Sequence, residues 1–271
     1  MGFIQSIIKF YLAVLLFRTA MTRQELYFNP LGKIVAKLTD PILEKALRLN
    51  KKTADNILPV FVILAVVLDS VFVLLLTGLS LPVAFIAGFA DIMTFLMLFY
   101  IVSTVIGSFA GNSGMSHYAM FFRRIAAFWV KLARTFIPVK SNAIVIPAVI
   151  MIFIAFSLLN SGASIALQAV TGTAINPLAA VITAVKTDVV AVTSLLDAFV
   201  WLIIIRALMS WLSPDPRNPI VQLIVSLTDP VMIPFSRVIP PIGAIDISPM
   251  ILIFVVYFVK VMLIRLVGIF L

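Results

Sequence analysis

Six long apolar runs are the feature that most constrains how this chain can fold. A helix needs roughly 17 to 25 apolar residues to cross the hydrocarbon core of a bilayer. Inside that core every backbone amide must be paired within the protein, and the alternation of a membrane β-barrel strand is absent, so the runs predict helices. The predicted spans are Phe3–Phe17, Ile57–Leu76, Pro82–Ile106, Ala143–Leu159, Val189–Ile205 and Pro249–Phe270.

Composition supports the same class and excludes several chemistries. Hydrophobic residues make up 63% of the chain and charged residues 11%, whereas the surface of a soluble domain requires about a quarter charged residues. No cysteine is present, which excludes disulfides, thiolate zinc sites, iron–sulfur clusters and cysteine nucleophiles. His117 is the single histidine, so a metal or haem site with several histidines is excluded as well. We predict no metal site and no cofactor.

The basic residues predict the topology. Most of the 20 lysines and arginines lie in the loops after spans 1, 3 and 5, and the other two loops contain only Lys186. Loops rich in lysine and arginine remain in the cytoplasm, so we expect both termini outside. The net charge of +9 is therefore interpreted as topology and not as nucleic-acid binding. Besides the bilayer itself, anionic lipid headgroups are the expected partners of the basic loops.

The stretch Gly162–Ala184 is apolar enough to suggest a seventh span. The pair Asn176-Pro177 lies in its middle, and a proline there would break a helix. A seventh span would also place the two termini on opposite sides, and the basic loops would no longer all lie on one side of the membrane. We therefore predict an outer-surface or re-entrant helical segment.

An internal repeat organises the chain. Residues 38–41 and 227–230 both read Leu-Thr-Asp-Pro, and each follows an Asn-Pro pair and a span-ending arginine at nearly the same spacing. A degenerate, basic and aromatic third copy lies between them. We predict an all-α membrane protein of about six spans in four regions: residues 1–80, 81–160, a linker at 161–188, and 189–271. The landmarks are Arg18, Asn29, Pro30, Asp40 and Pro41, and in the second copy Arg206, Asn218, Pro219, Asp229 and Pro230.

Each copy should contain an amphipathic helix between its two spans. Asn218 suits the N-cap of that helix and Pro219 its first position. An aspartate before a proline disfavours the helical conformation, so we expect the helix to stop there. Such helices belong at the cytoplasmic interface, where they either only close the hairpin or form a docking surface. Ser248-Pro249 should begin the last span, with Asp246 near its positive end.

The second copy carries a recognisable string of residues. It comprises Arg206 to Trp211, Asn218-Pro219, Asp229-Pro230, the turn Pro240-Pro241-Ile242-Gly243, and Asp246-Ile247-Ser248-Pro249. The string resembles the YggT family of small bacterial and plastid membrane proteins, densely over Trp201–Arg265 and partially over Phe10–Leu76. The resemblance implies an inner-membrane protein without catalytic residues or established enzymatic activity. It also implies a link to osmotic-shock tolerance in bacteria, and to cytochrome complex maturation and thylakoid or nucleoid organisation in plastids.

Four ionisable residues are singled out within the predicted spans: Lys9, Asp69, Asp197 and Lys260. Charges inside a membrane are costly and mark functional or register-fixing positions. Lys9 and Asp197 are equivalent in the repeat with opposite charge, and so, nearly, are Asp69 and Lys260. We predict the ion pairs Lys9–Asp197 and Asp69–Lys260; an ion or proton path and snorkelling towards the outer surface are the alternatives.

Three classes of function remain open. The preferred one is a non-enzymatic membrane scaffold or assembly factor, active in envelope or osmotic stress, with a membrane-protein partner or a homo-oligomer. The second is an ion channel or transporter that uses the buried charges. A membrane-embedded enzyme is disfavoured, because no pair of catalytic side chains has suggestive spacing.

Overall fold

The structure, a computed structural model, describes residues 2–49, 57–109, 116–137, 142–212, 215, 218–239 and 247–270. Within these residues every regular element is a helix. The α-helices are α1 (Phe3–Ala20), α2 (Arg23–Phe28), α3 (Pro30–Leu49), α4 (Ile57–Thr77), α5 (Leu81–Phe109), α6 (Ser116–Phe136), α7 (Val145–Thr171), α8 (Pro177–Leu212), α9 (Pro219–Val238) and α10 (Ser248–Phe270), with a short 3-10 turn, Asn142–Ile144, before α7.

Six of these helices, α1, α4, α5, α7, α8 and α10, are long and apolar enough to cross a membrane. Each overlaps one of the six predicted spans, although α7 and α8 extend well beyond the predicted bounds, and the all-α membrane class is confirmed. Their exposed surface is densely apolar, as expected for helices that face lipid: Phe3 is 81% exposed, Leu75 75% and Ile269 74%. The chain is a multi-pass α-helical membrane protein. The internal repeat and its boundaries stay a prediction.

The stretch Gly162–Ala184 forms no seventh span, as predicted, and comprises the end of α7, a short connection and the start of α8. Its outer-surface or re-entrant position stays a prediction. Helix α7 continues to Thr171, and Gly172 ends it in the left-handed conformation at φ 70°. Asn176 then caps α8 by accepting a hydrogen bond from the amide of Ala179 at 3.0 Å. With 36 residues, α8 is about 54 Å long at 1.5 Å per residue, well beyond a hydrocarbon core of about 30 Å. The stretch is therefore the junction of two overlong helices.

The helices predicted between spans are present, but they do not stop at the Asp-Pro pairs. Helix α3 continues through Pro41 to Leu49, and α9 continues past Asp229 to Val238. A proline inside a helix removes one backbone hydrogen bond and leaves a carbonyl unpaired. An amphipathic helix at an interface can expose that carbonyl to water, so the Asp-Pro pair is tolerated within the helix.

The chain divides into two compact units. The first comprises Met1–Ser108 and His117–Val185, and in it α1 packs against both α3 and α4. The ring of Phe17 lies 5.2 to 5.5 Å from the ring centroids of Phe99, Phe121 and Phe122. This aromatic contact joins α1, α5 and α6, so the helix of the degenerate middle copy is anchored by ring packing.

The second unit comprises Phe109–Ser116 and Lys186–Leu271. Its core is built by Ile203 of α8, Met232 of α9, and Leu252 and Val256 of α10, all buried. Three helices thus pack around one small apolar cluster, with α9 held against α10.

Candidate functional site

A cluster of buried charges lies inside the first unit. The ammonium of Lys9, on α1, lies 2.6 Å from a carboxylate oxygen of Asp91, on α5. Both side chains are largely enclosed, at 10% and 21% exposure. Asp69, on α4, is fully buried beside them. Three spanning helices therefore bring one lysine and two aspartates together within the membrane region.

Asp69 is the least compensated member of this cluster. Lys9 and Asp91 lie close enough to act on it electrostatically, and Gln5 of α1 also faces it. Gln5 and Asp91 approach its carboxyl group without completing a hydrogen bond of standard geometry, so among the described residues neither oxygen of Asp69 is satisfied. A buried polar group in this state requires a compensating charge, proton or ligand.

Gly88 explains why Asp91 and Asp69 meet. A Cβ atom at Gly88 would lie 2.4 Å from the Ser70 hydroxyl oxygen and 2.8 Å from the Ser70 amide nitrogen. Only glycine therefore permits α5 to approach α4 so closely, as small residues do at interfaces between membrane helices. Asp91 follows Gly88 by three residues on the same helix face, and Asp69 immediately precedes Ser70.

The second unit contains a simpler charge pair. The ammonium of Lys260, on α10, donates hydrogen bonds to both carboxylate oxygens of Asp197, on α8, at 2.6 and 2.7 Å. Lys260 is 23% exposed and Asp197 50% exposed. The pair thus lies partly on the surface of the unit, where one positive and one negative charge cancel.

The predicted pairs Lys9–Asp197 and Asp69–Lys260 are replaced by Lys9–Asp91 and Asp197–Lys260. The physical reason is that each charge has a partner of opposite sign on a neighbouring helix of its own unit. Asp91 of α5 lies beside Lys9 of α1, and Lys260 of α10 lies beside Asp197 of α8. Sequence reasoning missed Asp91, although an aspartate inside the apolar run Pro82–Ile106 is a visible signal. It also assigned Asp188 to a loop, and the structure buries that side chain completely within α8.

The span-ending arginines form matching salt bridges. Arg18 lies 2.9 Å from Asp40, and Arg206 lies 2.6 Å from Asp229. Each arginine thus fastens the amphipathic helix of its unit, α3 or α9, to the end of the preceding span. We call these two salt bridges the Arg–Asp clamps.

The second clamp contains further hydrogen bonds. Arg206 also donates to the hydroxyl of Thr228 at 2.6 Å and to the carbonyl of Val225 at 3.1 Å. Thr228 and its counterpart Thr39 are both fully buried, and each donates to the carbonyl four residues earlier. In both occurrences of Leu-Thr-Asp-Pro, therefore, the threonine is buried and the aspartate forms a salt bridge with an arginine.

A further network lies around α2. Thr22 caps α2 together with Glu25, whose side chain accepts from the Thr22 amide at 2.7 Å. Arg124 of α6 donates to both Glu25 oxygens, at 2.7 and 2.5 Å, and to the Ala20 carbonyl. Burial raises the pKa of the Glu25 carboxyl group, but the hydrogen bonds from Arg124 and Thr22 outweigh burial, so the pKa lies below its ordinary value.

The remaining landmark residues are placed as follows. Asn29 is buried, and its side chain accepts from the Leu31 amide at 2.9 Å, which caps α3 at Pro30. Asn218 directly precedes α9, which begins at Pro219. Ser248 is buried as the first residue of α10, with Pro249 next. The backbones of Trp211 and Pro230 are helical, whereas Pro240, Pro241, Gly243 and Asp246 lie outside the described residues.

Two open cavities of about 450 and 460 Å³ lie beside α2. The first is lined by Glu25, Asn29 and Arg124 among others, and the second by Arg18, Arg23 and Lys33 among others. Both therefore lie at the end of α1 where the basic loop begins, and neither is lined by Lys9, Asp69 or Asp91.

Together, six apolar helices and charges paired inside them define an integral membrane protein of the multi-pass α-helical class. Residues 185–267 match the CCB3/YggT family model. This stretch comprises α9 and most of α8 and α10, and the match confirms the predicted resemblance to the YggT family there.

Individual relatives support that assignment over a short stretch. The "Uncharacterized protein YggT" of Escherichia coli K12 is 40% identical over 60 residues, which is 22% of this chain and 31% of the relative. An uncharacterized protein of Pseudomonas aeruginosa is 38% identical over 63 residues, 23% of this chain and 32% of the relative. The chain thus covers about a third of the length of these relatives. No solved structure matches the chain.

Proposed function

We propose that this protein is a non-enzymatic membrane scaffold or assembly factor that supports the cell envelope under osmotic stress. The observation that carries the proposal is the pair of Arg–Asp clamps, Arg18–Asp40 and Arg206–Asp229. Each clamp fixes an amphipathic helix at the end of a span, and a fixed surface helix is what a scaffold needs in order to present a constant binding face.

The exposed side chains of α2 and α3 give this face its chemistry. Tyr27 and Phe28 are 77% and 82% exposed, and Ile34 is 57% exposed. Lys33 and Lys37 are exposed beside them, one helical turn apart. Apolar side chains flanked by lysines are suited to an interface with anionic headgroups, and the same residues can contact a membrane-protein partner or a second copy of the chain.

The proposal includes a location and a topology, namely the bacterial inner membrane, with basic loops in the cytoplasm and both termini outside. Because the chain contains no cysteine, single cysteines can be introduced without a prior cysteine-free background. In spheroplasts, a membrane-impermeant maleimide should label Thr173→Cys, between α7 and α8, but not Thr135→Cys at the end of α6. If only Thr135→Cys were labelled, the protein would have the opposite orientation to the one proposed.

The stress role is tested by survival of hypo-osmotic shock. A deletion strain should lose viability and regain it with the wild-type gene, whereas Lys33→Gln combined with Lys37→Gln should complement poorly. The matched control is Lys131→Gln combined with Arg134→Gln, which removes the same charge from α6 and should complement fully. Equal complementation by both double variants, or no phenotype of the deletion, would contradict the proposal.

A second candidate function, an ion channel or transporter, is favoured by the buried cluster of Lys9, Asp69 and Asp91. Potassium or proton flux into proteoliposomes would reveal it. If the wild type showed flux and Asp69→Asn or Asp197→Asn abolished it, the protein would be a channel or transporter and not a scaffold. Intact vesicles that show no flux above empty liposomes would leave the scaffold as the better proposal.

A further inference from the structure

The buried cluster of the first unit contains more negative than positive charge. Lys9 supplies one ammonium, and its 2.6 Å contact with Asp91 pairs that ammonium with one carboxylate. Asp69 adds a second carboxyl group, which is fully buried. If both carboxyl groups were ionised, the cluster would carry one uncompensated negative charge within the membrane region. Burying such a charge is so costly that the group normally takes up a neutralising partner.

The surroundings of Asp69 determine which partner fits. Within the part of the chain that the structure describes, the titratable groups that act on it are Lys9 from α1 and Asp91 from α5. The Ser70 hydroxyl donates to the Val66 carbonyl at 2.6 Å, so its hydrogen is not available to Asp69. A metal cation requires several oxygen ligands, whereas a proton requires only one carboxyl oxygen.

We propose that Asp69, Asp91 and Lys9 form a proton-binding site in which the two carboxyl groups share one proton while Lys9 remains charged. In the loaded state the site is neutral, with one ammonium, one carboxylate and one carboxylic acid. Release of the proton leaves a net charge of −1, and binding forms one O–H bond without breaking another covalent bond. The unsatisfied, fully buried oxygens of Asp69 are the position at which the proton is held.

The second unit provides the matched control. Asp197 and Lys260 form a balanced pair with two short hydrogen bonds. This pair needs no proton for neutrality, so Asp197 should remain a carboxylate. The inference concerns a binding site and holds whether or not the protein acts as a scaffold.

The test is infrared spectroscopy of the purified full-length protein in lipid nanodiscs at neutral pH. The wild type should show the carbonyl stretch of a protonated carboxylic acid, shifted in D₂O. Asp69→Asn and Asp91→Asn should each remove this band, because one carboxylate then remains to pair with Lys9. Asp197→Asn should leave the band unchanged. Absence of the band in the wild type, or its persistence in Asp69→Asn, would overturn the proposal.

A second variant keeps the proposal testable if the asparagine variants do not fold. Lys9→Met removes the only ammonium of the cluster, so both carboxyl groups should be protonated and the band should roughly double. An unchanged band in folded Lys9→Met overturns the proposal, and so does a carboxylate band that shifts with added Na⁺ at constant pH, since the ligand would then be a metal cation.

Discussion

In the second unit, one aspartate and one lysine meet at the surface of the spanning helices, whereas in the first unit one lysine lies deep between two aspartates. The sequence positions of Lys9 and Asp197 are equivalent in the predicted repeat, and their charges are opposite. Each nevertheless finds a partner within its own unit. The comparison shows that a spanning helix can carry a charge of either sign, provided that a neighbouring helix supplies the complement.

The difference in burial has an energetic consequence. Asp197 is half exposed, so its side chain has room to reorient towards the interface, with local bilayer thinning, when its partner is removed. Asp69 is fully buried, so its side chain cannot reorient in this way. The cluster of the first unit should therefore determine stability more strongly than the pair of the second unit does.

Removal of the lysines tests this contrast and should have the largest effect. We expect Lys9→Met to lower the free energy of unfolding by about 3 kcal/mol, because it leaves two enclosed carboxyl groups without a cation. Lys260→Met should cost only about 1 kcal/mol, the usual scale for a polar contact between membrane helices. Reversible unfolding in mixed micelles with increasing SDS measures both. Equal losses would show that the two units bury their charges alike.

The glycine contact between α4 and α5 gives the next largest effect. Gly88→Ala places a Cβ atom against the backbone of Ser70, and overpacking of this kind should cost about 2 kcal/mol. Gly162→Ala is the matched control within α7, since nothing lies within 4 Å of its Cβ position. That variant should gain up to about 1 kcal/mol from helix propensity. Both variants are measured by the same SDS titration. If Gly88→Ala were more stable than the wild type, the packing of α5 against α4 would not require a glycine at this position.

The two Arg–Asp clamps allow a direct comparison of the copies. Arg206→Met removes the salt bridge to Asp229 and two further hydrogen bonds, so we expect a loss of about 1.5 kcal/mol. Arg18→Met breaks its salt bridge to Asp40, which is 43% exposed, and should cost about 0.5 kcal/mol. Hydrogen exchange should show faster opening of α9 than of α3 in the respective variants. The reverse order would mean that α3 depends more on its clamp.

Sequence patterns predicted the elements better than their contacts. The six spans follow from apolar length, and the starts of α3 and α9 follow from Asn-Pro, because both are properties of a local segment. The partner of Lys9 depends on which helix face meets α5, and that face is set by Gly88 and Ser70, which no periodicity reveals. The Asp-Pro rule failed in α3, where the salt bridge between Arg18 and Asp40 holds the aspartate against α1 within a continuous helix.

The smallest expected effect concerns the link between α2 and α6. The pKa of Glu25 lies below its ordinary value of 4.5 in the folded protein, so its contact with Arg124 stabilises fully above that pH and is lost as the pH falls through the folded-state pKa. Glu25→Gln should therefore lower stability at pH 7 by less than about 1 kcal/mol, because Arg124 is 37% exposed, and the difference from wild type should vanish in acid. Unfolding measured from pH 7 down to pH 3 gives this difference. A difference that persists at pH 3 would show that Glu25 does not act through its charge, because a glutamine can still accept the Thr22 amide in the cap of α2.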